Sequence, residues 1–117
     1  MTMMLQHGRF GSRRMLDSTT VALAVEPHSA YVYPADSLSR RDRFYGLHWS
    51  VVSDRHAPVR PPFSAGIFEH GGSDGTVAWA DPSRGLLLIY LTQSRGQNTR
   101  NAFLRLIYAA LERDPRP

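Results

Sequence analysis

At 117 residues, 42% of them apolar and 21% charged, the chain is the length of one domain and too hydrophobic for wholesale disorder. Its formal net charge of +4 rests on 14 basic residues, all arginine. Arg9, Arg13 and Arg14 form one small group and Arg40, Arg41 and Arg43 another, without aromatic-basic alternation, so codon bias is favoured and an arginine-rich nucleic-acid binder is the weaker alternative. The absence of cysteine excludes disulfides and thiolate chemistry. No apolar run approaches the roughly 20 residues that span a bilayer, and "MTMMLQHGRFG" lacks the features of a signal peptide. Neither a membrane segment nor a leader is expected in this chain, and the compartment is left open.

The first seven residues read as the end of a helix that stops at Gly8. "LDSTTVALAVEP" offers Asp17 or Ser18 as an N-cap and Pro27 as a stop, predicting a short helix between them. Residues 28–43 mix proline, serine and charge and read as an irregular connection, with a short strand at Tyr31–Tyr33 as an option. "FYGLHWSVVSD" predicts one strand from Phe44 to Val52, and the three prolines of residues 54–62 predict a loop. Phe63 to Glu69 leads into His70, "TVAWAD" is a clear strand, and Asp81-Pro82-Ser83-Arg84-Gly85 is a turn. The run Leu86–Leu91 is apolar at every position, which predicts a strand covered on both faces in the middle of a sheet. Finally, Phe103, Leu106, Ile107, Ala110 and Leu111 form one apolar helical stripe, capped at Asn98 or Thr99 and ended by Asp114-Pro115.

The expected class is therefore α+β: three to four antiparallel strands, a long C-terminal helix on one face, and short N-terminal helices. A single domain over 1–117 would be helical over 1–27, connecting over 28–43, antiparallel over 44–93 and helical again over 98–113. No repeat or low-complexity tract breaks it.

Chemistry-bearing residues are few. His7, His28, His48 and His56 are scattered without metal-ligand spacing, so no metal is expected, nor any cofactor. Ser73 with His70 and Asp74 or Asp81 is the one compact Ser, His, Asp set, and relay geometry does not follow from proximity in sequence. His70 can equally be a polar residue at a strand start. Trp49 and Trp79 read as packing residues rather than a ligand platform.

Taken in order, these segments resemble the C-terminal part of the serine β-lactamase and penicillin-binding-protein-like hydrolases, nearest to the class C β-lactamase, D,D-peptidase and esterase group. "YGLHW" at 45–49 is similar to that family's Tyr-Gly-Leu-Gly-Trp strand. "HGGSDGTVAWADPSRGLLLIYLTQ" resembles its third active-site motif followed by two core strands, and "NTRNAFLRLIYAAL" its terminal helix. "MMLQHGRFGSRRMLDSTTVALAV" is similar to the helix, Gly-rich turn and second helix that precede them. The resemblance implies a partial β-lactamase-like fold. It implies that His70 occupies the cationic or hydrogen-bonding position, that Gly71 and Gly72 let substrate approach the backbone, and that the Ser73 N–H is one oxyanion-hole donor.

The family's nucleophile is the serine of Ser-x-x-Lys, assisted by the tyrosine of Tyr-x-Asn or Tyr-x-Ser. A chain without lysine cannot hold the first motif, and no tyrosine here is followed two places later by Asn or Ser. The expectation is thus a C-terminal segment of such a hydrolase, inactive alone, whose partner is the missing N-terminal portion of the fold, with a small-molecule substrate in that context only. The alternative is a noncatalytic α+β module that self-associates or docks on another protein through an exposed strand edge.

Overall fold

Strands form where aromatic and β-branched residues crowd the sequence, and helices where alanine, leucine and methionine do. The computed structural model of the protein describes residues 1–33, 43–54 and 62–113. The chain opens with helix α1 (Thr2–Leu5) and a small hairpin of β1 (Arg9–Phe10) and β2 (Arg13–Arg14), followed by helix α2 (Ser18–Val25) and a 3-10 turn (His28–Tyr31). Five strands follow: β3 (Arg43–Tyr45), β4 (Ser50–Val52), β5 (Phe68–Gly71), β6 (Val77–Asp81) and β7 (Leu86–Tyr90). Helix α3 (Gln97–Arg113) ends the described chain. Each strand of the main sheet pairs antiparallel with the next in the order β3-β4-β5-β6-β7, so the α+β class stands, with five strands in the main sheet and two in the hairpin among the described residues.

The register puts alternate side chains of each strand on opposite faces. Val51, Phe68, Ala80 and Leu87 meet Met4 and Val21 from the N-terminal helices on one face. Val52, Ile67, Trp79, Leu86 and Leu88 meet Leu104 and Tyr108 of α3 on the other. Two cores therefore lie back to back across one sheet. Each fully buried aromatic or aliphatic side chain contributes on the order of 1.5–3 kcal/mol.

Several expectations are corrected. The single strand Phe44–Val52 is two strands folded back on each other, with Tyr45 opposite Ser50, which is why the sheet has five strands. The cause is tertiary: the Leu47 N–H donates to the Ala24 carbonyl at the end of α2 (2.8 Å), and Gly46 lies so close to that helix end that a Cβ would sit 2.8 Å from the Glu26 carbonyl oxygen. The optional strand at Tyr31–Tyr33 is instead the end of the 3-10 turn, closed by the Val32 N–H on the Ser29 carbonyl (3.2 Å).

Leu86–Leu91 is not a central strand. Among the described residues β7 is the last strand of the sheet; its inner side pairs with β6, and Ile89 is 61% exposed. Its all-apolar run meets a core on each face at Leu86, Leu87 and Leu88 and then runs out beyond both.

The apolar stripe of α3 is rotated from its expected position. Leu104 and Tyr108 are the buried residues, whereas Leu106 is 70% exposed and Ala110 is exposed. A polar anchor explains the rotation. Fully buried Tyr108 accepts a hydrogen bond from Trp79 Nε1 (3.0 Å) and donates to Asp81 Oδ2 (2.9 Å), and that pairing turns the tyrosine inward. Asp81 Oδ1 accepts from the Ser83 N–H (3.0 Å) and Oγ (2.6 Å), forming the expected turn into β7. Burial pushes the Tyr108 phenol well above its usual range; the Trp79 N–H opposes this, and Asp81 adds to it. Asn98 and Thr99 lie inside the first turn of α3. Pro58 and Pro61 of the 54–62 loop, most of the 28–43 connection and the Asp114-Pro115 stop lie outside the described residues.

Among the described residues no helix is long and apolar enough to cross a membrane.

Candidate functional site

The site begins where a ladder ends. β4 and β5 pair at Val51 with Phe68 and Ser50 with Glu69, so beyond Glu69 the β4 side of β5 faces no strand among the described residues. On its other side β5 continues to pair, His70 with Ala78 and Gly71 with Val77. The open side is a cleft of about 430 Å³ lined by Tyr45, His48, Ser50, Glu69, His70, Gly71, Gly72 and Ser73. All four residues singled out from the sequence, His70, Gly71, Gly72 and Ser73, thus line one cleft and are exposed. A shallower cavity of about 250 Å³ on the far side of the same strand is bounded by His70, Gly71, Gly72, Ala78, Ile89 and Leu91.

Local geometry accounts for the small residues. The β5–β6 connection closes with the Gly72 N–H on the Thr76 carbonyl (2.8 Å) and the Gly75 N–H on the Gly72 carbonyl (3.2 Å). A Cβ at Gly72 would collide with the Thr76 hydroxyl, so the strand end tolerates no side chain there. The Ser73 N–H, in the turn just past it, has no acceptor among the described residues.

His70 does not stand alone. The ring of His48 stacks on it, centroids 4.4 Å apart and planes 19° from parallel, and Trp49 meets both rings edge-on at 6.2 and 6.5 Å. Trp49 in turn packs edge-on against Phe68 at 5.3 Å, which ties the cleft wall to the core. His48 reaches this position with a backbone φ of 72°, a left-handed conformation unusual for a side-chain-bearing residue. Sequence reasoning set His48 aside with the scattered histidines. The signal available was its place in Tyr-Gly-Leu-His-Trp, where the resembling motif has glycine.

Charge is arranged to leave the cleft without an open ion. Glu69 is engaged by Arg43, whose guanidinium also lies 5.3 Å from the ring centres of Phe63 and Trp79. Asp74 Oδ1 accepts from Arg95 Nε (2.8 Å). Asp81 is buried against Tyr108. The Ser73, His70, Asp74 or Asp81 set is therefore not assembled: each carboxylate is hydrogen-bonded elsewhere, and none to His70. Among the described residues no group of three or more His, Asp or Glu could hold a metal ion. Trp79, 1% exposed, belongs to the core as expected.

What the arrangement can do is present an extended strand end, the unengaged Ser73 backbone N–H, a stacked imidazole pair and the hydroxyl-bearing Tyr45, Ser50 and Ser73 around one small cleft. A family model described as Beta-lactamase matches residues 8–111. No curated protein matches the chain.

Proposed function

Because the chain belongs to the Beta-lactamase family, with residues 8–111 matched, we propose that it forms one wall of a β-lactamase-like acyl-transfer site. Supporting this is the open end of β5, where His70, Gly71, Gly72 and Ser73 line a cleft with no strand on that side among the described residues. In this reading an ester or amide carbonyl lies along the Gly71-Gly72 backbone. The Ser73 N–H donates to the oxygen that becomes negative on attack, and His70 hydrogen-bonds a polar group of the substrate. Loss of one such donor typically costs about 10²–10³ in turnover.

The wall does not attack. With no lysine in the chain there is no Ser-x-x-Lys serine, and an unactivated hydroxyl is a poor nucleophile. Among the described residues the neighbouring serines have no His-carboxylate relay, Asp74 and Asp81 being engaged elsewhere. The proposal is accordingly that this is the C-terminal portion of a serine hydrolase, silent alone, whose partner is a nucleophile-bearing portion of the same fold.

The test has two arms. Incubated alone with a chromogenic cephalosporin or an activated ester, the chain should match a boiled control; saturable turnover above it would overturn the silent-wall reading. Peptide mapping of the source cell for the polypeptide carrying Asn101–Arg105 should find upstream peptides with Ser-x-x-Lys, in the same or an associated chain. Their absence would remove the hydrolytic role.

A further inference from the structure

The donor at Ser73 is aimed by a bond it does not make. Gly72, Ser73, Asp74, Gly75 and Thr76 turn the chain from β5 into β6, and the Gly75 N–H donates to the Gly72 carbonyl (3.2 Å). That carbonyl and the Ser73 N–H belong to one planar trans peptide, so they point in opposite directions. Whatever holds Gly75 against Gly72 therefore also keeps the Ser73 N–H facing out of the turn. The closing bond is long beside the 2.8 Å of the Gly72 N–H on the Thr76 carbonyl, and rotation of the single Gly72–Ser73 peptide would break it. Glycine at 72 makes that rotation sterically easy.

A second segment braces this turn from outside. The connection from β7 to α3 lies against it, with Arg95 Nε donating to Asp74 Oδ1 (2.8 Å). Gly75 has a φ of 90°, and a Cβ there would collide with the Ser94 carbonyl oxygen and lie 3.2 Å from Thr92 Cγ2, so backbone meets backbone at this point. Ser94 is itself fixed by its N–H on Thr92 Oγ1 (3.1 Å). Neither Ser94 nor Arg95 lines the cleft. The Arg95 and Asp74 side chains are 82% and 55% exposed, so their pair adds little to folding. Biasing one peptide between two orientations needs far less energy than folding a domain, and such a pair supplies it.

We propose that Arg95 and Gly75 are positioning residues: together with Asp74 and Ser94 they brace the β5–β6 turn so that the Ser73 N–H stays turned outward as a donor. For what that N–H meets, the inference rests on the hydrolase reading, in which it binds the oxygen of an attacked carbonyl. Charge on that oxygen appears only in the transition state. A donor swung out of place therefore lowers kcat and leaves KM nearly as it was. The brace itself is a property of this chain's backbone and is measured without any substrate.

Nitrogen-15 relaxation of the labelled chain makes that measurement. The Ser73 amide should be rigid in the wild type, with an order parameter of about 0.85, and should fall towards about 0.6 in Arg95→Asp and in Gly75→Ala. The Val77 amide in β6 and the urea midpoint of Arg95→Asp should stay unchanged. Adding Asp74→Arg to Arg95→Asp recreates the pair with its charges exchanged and should restore the rigid amide. In the assembled hydrolase Arg95→Asp should lower kcat by about tenfold or more with KM within about twofold, and the exchanged pair should recover it. A Ser73 amide still rigid in both single variants, an exchanged pair as mobile as Arg95→Asp, or a rise in KM in place of a fall in kcat would each overturn the proposal. No turnover in any form, wild type included, would instead overturn the hydrolase reading on which the catalytic half rests, and the order parameters still decide the brace.

Discussion

Replacing Tyr108 by Phe removes one oxygen from the centre of the α3-side core and keeps the ring. The oxygen serves two buried partners, accepting from Trp79 Nε1 at 3.0 Å and donating to Asp81 Oδ2 at 2.9 Å, and Trp79, Asp81 and Tyr108 are each 1% exposed or less. A buried group left without its partner costs about 1–3 kcal/mol. Asp81 keeps the Ser83 N–H and hydroxyl, with Arg84 Nε at 3.7 Å, so its share falls at the low end, whereas the Trp79 indole N–H loses its acceptor. The expected loss is about 2–4 kcal/mol, a large part of the roughly 5–15 kcal/mol by which domains are stable. Urea unfolding followed by far-ultraviolet circular dichroism measures it. Trp79→Phe in the same background removes the orphaned donor, so the double variant should be more stable than the sum of the two singles predicts. The raised phenol adds a pH signature. Above the ordinary tyrosine value of about 10 the unfolded chain releases the Tyr108 proton while the folded chain keeps it, so stability is complete below that pH and falls as pH rises through the alkaline range. Tyr108→Phe should lose that increment of alkaline sensitivity. A loss below about 1 kcal/mol together with an unchanged alkaline slope would refute the account.

Gly46→Ala should destabilise by about 2 kcal/mol or more in the same urea assay, because its methyl meets carbonyl oxygens at the end of α2 rather than a flexible side chain. His48→Gly should change stability by less than about 1 kcal/mol, relief of the left-handed backbone offsetting the lost stacking. The His70 ring protons should lose their ring-current shift in the proton NMR spectrum, with His48→Phe restoring it. Arg43→Ala should cost about 2 kcal/mol in thermal unfolding, since it strips mostly buried Glu69 of its partner and uncovers Phe63 and Trp79. Asp74→Asn, by contrast, should stay within about 0.5 kcal/mol, its pair with Arg95 being largely in solvent.

What could be read from the sequence was local. The β6–β7 hairpin follows from Thr-Val-Ala-Trp-Ala-Asp, a proline turn and an apolar run, and the short helix before Pro27 from its cap and stop. The His70-Gly71-Gly72-Ser73 stretch was legible because a strand end open to a ligand demands small residues in sequence. His48 was not, since its contact with His70 is made by a turn whose shape is dictated from α2, far away in sequence. Composition across Phe44–Val52 is mostly strand-forming, and Gly46 is its one mark of that turn. The face of α3 was misjudged for a related reason: periodicity weighs Leu106 as a core residue and Tyr108 as neutral, while a buried hydrogen-bond pair outweighs both. The central placement of Leu86–Leu91 failed because full apolarity reports cover on two faces and says nothing about neighbours in the plane.

The back-to-back cores put an unusual demand on chain length. In β6, Trp79 serves the α3 side and Ala80, its immediate neighbour, the side of α1 and α2; in β4, Val52 and Val51 do the same. Inserting or deleting one residue inside either strand would send the indole toward the space shaped for a methyl and exchange every other pair as well. Divergence of such a chain is therefore expected to proceed by substitution within the strands, with changes of length collecting in its connecting loops.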